Sequence, residues 1–108
     1  MASVRIKKIR EKDIQKSILD YLRFRRIFCW KNNTVGIYKK DTGHYIPSQS
    51  VGSPDIFAVK DAKIYGIEVK AKGGKLSEKQ RKWAWDFEEA GGIYLLAYSL
   101  EDLKKVVD

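Results

Sequence analysis

Residues 54–70 of the chain read PDIFAVKDAKIYGIEVK. Apolar residues dominate on both sides of Asp61-Ala62, which interrupts them at the centre. Two such runs with so short a break predict two strands, residues 55–60 and 63–70, joined by a tight turn into a hairpin. Because apolar residues are so frequent in both runs, we expect the strand pair to lie in the interior of a sheet.

The register of that hairpin brings two acidic side chains together. When Lys60 pairs with Lys63 across the turn, counting back along both strands places Asp55 directly opposite Glu68. Alternation along a strand puts Lys70 on the same face as Glu68. Facing carboxylates repel each other unless a cation lies between them, and Mg²⁺ prefers oxygen ligands of this kind. The alternative is an exposed hairpin with solvated charges, which the many apolar neighbours oppose.

Helix and strand patterns precede and follow this hairpin. Apolar residues recur at three- and four-residue spacing from Glu11 onward, which predicts an amphipathic first helix. The run 27–30 predicts a strand, and a short strand is expected near residues 36–38 in a loop-rich stretch. Ser77 is placed to cap a helix that ends at about Ala90, before two glycines.

The end of the chain completes the pattern. Residues 93–98 form a near-continuous apolar run, typical of a strand buried on both faces. Ser99 with Asp102 begins a last short helix. The order is helix, three or four strands, helix, strand, helix. This order predicts an α/β or α+β domain with a central mixed β-sheet flanked by helices.

Length and composition limit the domain organisation. The chain has 108 residues, which is enough for one compact domain. We assign residues 1–10 to a basic N-terminal arm and residues 11–108 to a single domain. No apolar stretch approaches the ~20 residues of a membrane span, and the basic N-terminus lacks the apolar run of a secretory signal. We therefore expect a cytoplasmic protein with no membrane partner.

The residue inventory narrows the chemistry. One cysteine, Cys29, and one histidine, His44, cannot build a zinc finger, a dithiol redox site or a Ser/Cys–His nucleophile scheme of the usual kind. Any metal here would be a hard cation held by oxygen. Lysine and arginine number 22 against 14 acidic residues, a net charge of +8, and this balance favours nucleic acid as the partner.

Several short motifs resemble those of a nuclease family. Pro54-Asp55 together with Glu68-Val69-Lys70 resembles the PD-(D/E)xK signature. Other matching segments follow the same order from about residue 11 to 103: Glu11 with Ile14-Gln15, Trp30-Lys31-Asn32-Asn33, Gly52-Ser53, Gly73-Gly74-Lys75-Leu76-Ser77-Glu78-Lys79-Gln80 and Ala90-Gly91-Gly92. The ordered series is similar to the stand-alone form of the virus-type replication-repair nuclease (VRR-NUC) domain.

The resemblance implies a restriction-endonuclease-like α/β core, in the order α-β-β-β-α-β-α, that cleaves DNA phosphodiesters with Mg²⁺ or Mn²⁺. It implies that Asp55, Glu68 and the carbonyl of Val69 bind the metal, and that Lys70 is the catalytic lysine. Glu11, on the first helix, would be a further catalytic acid that helps to bind the metal. Stand-alone members look like homodimeric enzymes that cleave four-way (Holliday) junctions, in a bacterial or phage-infected cell.

The same resemblance makes Gln80 a site residue, but its spacing from Ser77 also fits a capping box, a purely structural role. Glu11 could likewise serve only to complement the dipole of the first helix. A run of cations beside the expected site predicts DNA phosphate contacts, with a solvated basic face as the alternative. These residues are Lys72, Lys75, Lys79, Arg81 and Lys82. For the whole chain, the alternatives are a non-catalytic nucleic-acid-binding module and a flap or end-processing nuclease.

Overall fold

The computed structural model describes residues 8–32, 37–46 and 51–108. Three helices and six strands lie in these ranges: α1 (Glu11–Phe24), β1 (Phe28–Lys31), β2 (Ile37–Lys39), β3 (His44–Ile46), β4 (Ile56–Lys60), β5 (Lys63–Val69), α2 (Glu78–Glu89), β6 (Ile93–Ala97) and α3 (Leu100–Val107). Most of the predicted basic arm, residues 1–7, lies outside the described residues, so the domain boundary stays a prediction.

Four strands form a mixed sheet in the order β1-β4-β5-β6. The first three pair antiparallel, and β6 pairs parallel to β5. Helices α1 to α3 and these four strands follow the predicted order α-β-β-β-α-β-α, which confirms the α/β fold class. Strands β2 and β3 form a separate two-stranded hairpin that this order omits.

The central hairpin has the predicted register. Lys60 pairs with Lys63 and Ile56 pairs with Ile67, so Asp55 at the start of β4 comes opposite Glu68. The turn residues Asp61 and Ala62 have φ angles of 52° and 63°. Positive φ at both central residues is the type I′ geometry, whose twist matches that of the flanking strands. A local feature of the turn therefore determines which side chains meet at the far end of the hairpin.

The two faces of the sheet are covered differently. One face packs against α1 and α3 in a core that contains Ile18, Ile56 and Leu103, all fully buried. Amphipathic spacing on α1 supplies this face, as its three- and four-residue repeat predicts. The opposite face carries α2, where Phe57 of β4 contacts the rings of Trp83 and Phe87. The side chains of Asp55 and Glu68 alternate onto this second face.

Strand β6 differs from its prediction. Its apolar run predicts a strand buried on both faces, but β6 lies at the edge of the sheet and Ile93 to Leu96 are only half-buried. The reason is topological: among the described strands β6 pairs only with β5, and the interior positions belong to β4 and β5. Within the described ranges, no helix combines the length and the apolar character needed to cross a membrane.

Candidate active site

Asp55 is held at the start of β4 by backbone contacts on both sides. Its Oδ2 accepts a hydrogen bond from the amide of Val69 at 2.8 Å, and its carbonyl accepts from the amide of Asn32 at 2.7 Å. The side-chain amide of Asn32 donates to Ser53 Oγ at 2.7 Å and to the Pro54 carbonyl at 3.0 Å. The end of β1 thus fixes the segment that presents Asp55.

Glu68 is a buried carboxyl group on the central strand β5, with 4% of the residue exposed. Its Oε1 accepts a hydrogen bond from Gln80 Nε2 at 3.2 Å and lies 4.0 Å from Lys70 Nζ. Its Oε2 is buried and has no hydrogen-bond partner among the residues that the structure describes. Burial raises the pKa of Glu68 to about 8; the charge of Asp55, and a hydrogen bond that protonated Glu68 shares with Asp55, add to the rise, and the Lys70 ammonium opposes it. Glu68 and Asp55 therefore lie close enough to share a proton or a cation.

Gln80 combines the two roles that sequence analysis set against each other. Its side-chain Oε1 accepts a hydrogen bond from the backbone amide of Ser77 at 2.8 Å. The backbone amide of Gln80 donates to Ser77 Oγ at 3.1 Å, which completes the capping box of α2. The Nε2 end of the same side chain donates to Glu68. The two ends of one amide therefore join the start of α2 to the buried carboxylate, and the cap orients the contact.

Glu11 and Lys70 lie at the rim of this arrangement. Glu11 is exposed at the first position of α1, and its Oε1 is 3.4 Å from the amide of Ala71. It is close enough for its charge to contribute to the raised pKa of Glu68. The Lys70 side chain is only 18% exposed, and its ammonium is directed toward Glu68 Oε1 at 4.0 Å. The structure thus brings Asp55, Glu68 and Lys70 together, with Glu11 at their edge.

The residues present fit a hard cation held mainly by water and substrate. Among the described residues, no three His, Cys, Asp or Glu side chains form a closed metal cage. Mg²⁺ does not need one, since it usually takes one or two protein carboxylates and completes its shell with water and phosphate oxygens. Asp55 and the free oxygen of Glu68 offer such a pair. Val69, the predicted carbonyl ligand, stands between Glu68 and Lys70 at the end of β5.

The predicted phosphate-contacting residues are all exposed: Lys72, Lys75, Lys79, Arg81 and Lys82. The first two lie on the loop between β5 and α2, and the others on α2 itself. The Lys82 ammonium is 2.8 Å from Asp86, so its charge is the most neutralised of the set.

The loop between β5 and α2 is anchored by Tyr98, whose hydroxyl donates to the Gly74 carbonyl at 2.8 Å. A Cβ on Gly74 would come within 3.1 Å of the Lys70 Cβ, so the loop packs closely beside the site.

Sequence reasoning missed Tyr94 of β6. Its hydroxyl is buried and finds no hydrogen-bond partner within the described ranges, and the charges of Glu68 and Asp55 add to the effect of burial in raising its pKa. The pattern of residues 93–98 predicts only an apolar core strand. The available signal was the polar tip of a tyrosine within that run, because such a group normally finds a partner when buried. Asn32 and Tyr98 are also not predicted as site-supporting residues, since their contacts are remote in sequence.

Comparisons with known proteins agree with this fold. A solved structure described as a VRR_NUC domain has a TM-score of 0.66 and 18% identity, with 90% of this chain and 92% of that chain covered, which shows a shared fold. No curated protein matches the sequence. The VRR-NUC domain family matches residues 9–100, and the elements α1 to β6 lie within that range. The chain therefore belongs to the VRR-NUC domain family and has its nuclease-type fold.

Proposed function

We propose that the protein is a metal-dependent, structure-selective DNA endonuclease that hydrolyses phosphodiesters, with four-way junctions as its preferred substrate. The observation that carries this proposal is the partnerless buried oxygen of Glu68, beside Asp55 and Lys70. A buried acid without a partner is costly to keep unless it serves binding or chemistry. Nuclease activity is also what the family and the net charge of +8 favour.

The residues have distinct roles in this proposal. Asp55, Glu68 and the Val69 carbonyl hold Mg²⁺ or Mn²⁺, and Glu11 binds a water of its shell from the rim. When bound, such an ion activates water and stabilises charge on phosphoryl oxygens. Lys70 sets a positive charge beside the phosphate and can accept or return a proton there. Gln80 holds the Glu68 carboxylate in one orientation through the contact to Oε1.

The test is cleavage of end-labelled linear, flap and four-way DNA, each with Mg²⁺ and with EDTA. The proposal expects cutting of the four-way junction in Mg²⁺ and none in EDTA. Cleavage in EDTA would show that the reaction does not depend on a metal ion. Binding of DNA without any cutting favours the non-catalytic module, and preferred cutting of the flap favours an end-processing nuclease.

DNA contact by the exposed cations has a measurable consequence. Removing one phosphate-binding cation makes the salt dependence of binding, d log K/d log [salt], less steep by about 0.9. The double variant Lys75→Ala/Lys79→Ala should therefore flatten the slope by about 2, as measured by fluorescence anisotropy in EDTA at several salt concentrations. Lys105→Ala is the control and should leave the slope unchanged, because Lys105 is an exposed residue of α3, on the opposite side of the sheet. Equal slopes for the double variant and this control would contradict the assignment.

The proposal includes a homodimer. A domain of 108 residues covers little DNA, and a two-fold dimer presents two sites to a nearly symmetric four-way junction. Strand β1 lies at the sheet edge and exposes Phe28 and Trp30, an apolar surface that a second copy can cover. Light scattering at micromolar concentration should give twice the chain mass. A mass of one chain at that concentration argues against the dimer.

A further inference from the structure

Two buried side-chain oxygens in the described part of the chain have no hydrogen-bond partner: Glu68 Oε2 and the Tyr94 hydroxyl. They belong to neighbouring strands, since β5 pairs with β6. Each such group in a folded protein calls for a reason, because buried polar atoms are almost always paired. Because both groups lie on neighbouring strands, we look for one reason that explains both.

The sheet geometry puts both groups on the α2 face. Tyr94 pairs with Gly66, which lies two residues before Glu68 and therefore on the same side of β5. Gly66 has no side chain, and Pro54 and the Phe87 ring pack over it, since a Cβ there would come within 3.0 Å of Pro54 Cγ and 3.1 Å of Phe87 Cε2. The ring centroid of Tyr94 is 6.3 Å from that of Trp83, so the ring packs among the aromatic side chains of α2.

The chemistry of the two groups is complementary. A tyrosine hydroxyl has a proton to donate, and a carboxylate oxygen accepts. Burial and the charges of Glu68 and Asp55 raise the pKa of Tyr94, so its hydroxyl keeps that proton throughout the working pH range. The other oxygen of Glu68 is already held by Gln80. A donor aimed at the second oxygen would complete the orientation of the carboxylate.

We propose that Tyr94 is a positioning residue of the candidate active site, whose hydroxyl donates through a water molecule to Oε2 of Glu68. The Glu68 carboxylate is then held from both ends, by Gln80 at Oε1 and by Tyr94 at Oε2, with its plane set toward Asp55. Tyr94 touches neither the metal nor the DNA. This inference rests on the proposed function, because it assigns the purpose of the contact to metal binding at Asp55 and Glu68.

The test compares the wild type with Tyr94→Phe, which keeps the ring and its packing and removes only the hydroxyl. Calorimetric titration with Mn²⁺ in the absence of DNA should show about tenfold weaker binding by the variant, the lower end of the effect of losing an outer partner of a metal ligand. Thermal unfolding without metal should show little change in melting temperature, because phenylalanine keeps the ring and its packing. The maximal cleavage rate on DNA should also fall by about tenfold.

Tyr21→Phe is the matched control. The Tyr21 hydroxyl donates to Asp108 and lies on α1, outside the site, so its loss should lower the melting temperature and leave Mn²⁺ affinity unchanged. Wild-type Mn²⁺ affinity and cleavage rate in Tyr94→Phe would overturn this inference alone. Failure of the wild type itself to bind Mn²⁺ would overturn the proposed function as well.

A second measurement uses the wild-type protein alone. With ¹³Cζ-labelled tyrosine, the Tyr94 resonance should move on addition of Mg²⁺, since the ion reorganises the partners of Glu68. The Tyr21 resonance should stay in place. A Tyr94 resonance that does not respond to Mg²⁺ concentrations that support cleavage would contradict the contact.

Discussion

Glu68→Gln should abolish metal-dependent cleavage while leaving the fold intact. Glutamine matches the shape of a protonated glutamic acid, the form that a pKa of about 8 favours at neutral pH without metal. Its neutral amide is a poor ligand for Mg²⁺, which prefers carboxylate oxygens. Removing an outer partner of a metal ligand already costs about 10- to 100-fold, so we expect removal of the ligand itself to exceed about a hundredfold in cleavage rate.

The informative comparison is between cutting and binding. DNA affinity in EDTA should stay within about tenfold of the wild type, a difference of about 1.4 kcal/mol. Glu101→Gln, an exposed acid on α3, is the control and should retain wild-type cleavage. If Glu68→Gln cuts DNA at the wild-type rate, Glu68 is not a metal ligand. If it loses affinity and melting temperature together, the acid is structural.

The stability of the metal-free protein should fall as pH rises from about 5 to about 8.5. The pKa of Glu68 is raised from its ordinary value of 4.5 to about 8, so in this window the folded state holds a proton that the unfolded state releases. Stability therefore declines with pH wherever the folded state binds more protons. The loss should be on the order of 2–4 kcal/mol, since one pKa unit corresponds to about 1.4 kcal/mol and part of the shift is relieved by local relaxation.

Urea unfolding at a series of pH values in EDTA measures this decline. Glu68→Gln has no proton to release, so its curve should be flatter than that of the wild type over the same window. Mg²⁺ should stabilise the wild type more at pH of about 8.5 than at pH of about 6, because a cation competes with the proton for the carboxylate. A wild-type curve that rises across this window would show that Glu68 is ionised in the folded protein, contrary to its buried surroundings.

The core of the site could be predicted from local spacing. A two-residue turn at Asp61-Ala62 sets the hairpin register, and the register places Asp55 opposite Glu68. Turn length and strand alternation are short-range properties, so they can be counted along the chain. The cap at Ser77 and the apolar stripe of α1 were predictable for the same reason.

The supporting contacts could not be predicted in this way. Asn32 holds the segment of Ser53 and Pro54 across 21 and 22 residues of sequence, and no local pattern indicates that pairing. Spacing alone leaves Gln80 as either a cap or a site residue, because it does not show that Nε2 reaches Glu68. The additional hairpin β2–β3 and the edge position of β6 likewise depend on which strands pair.

The secondary structure around the site, the hairpin register and the proximity of its two acids could be predicted, because they follow from periodicity and turn geometry within about 15 residues. The parallel pairing of β6 with β5, which brings Tyr94 to the same face as Glu68, became visible only in the folded chain. A parallel pair is joined by a long crossover, here containing α2, so its register depends on how that helix packs rather than on any count along the chain.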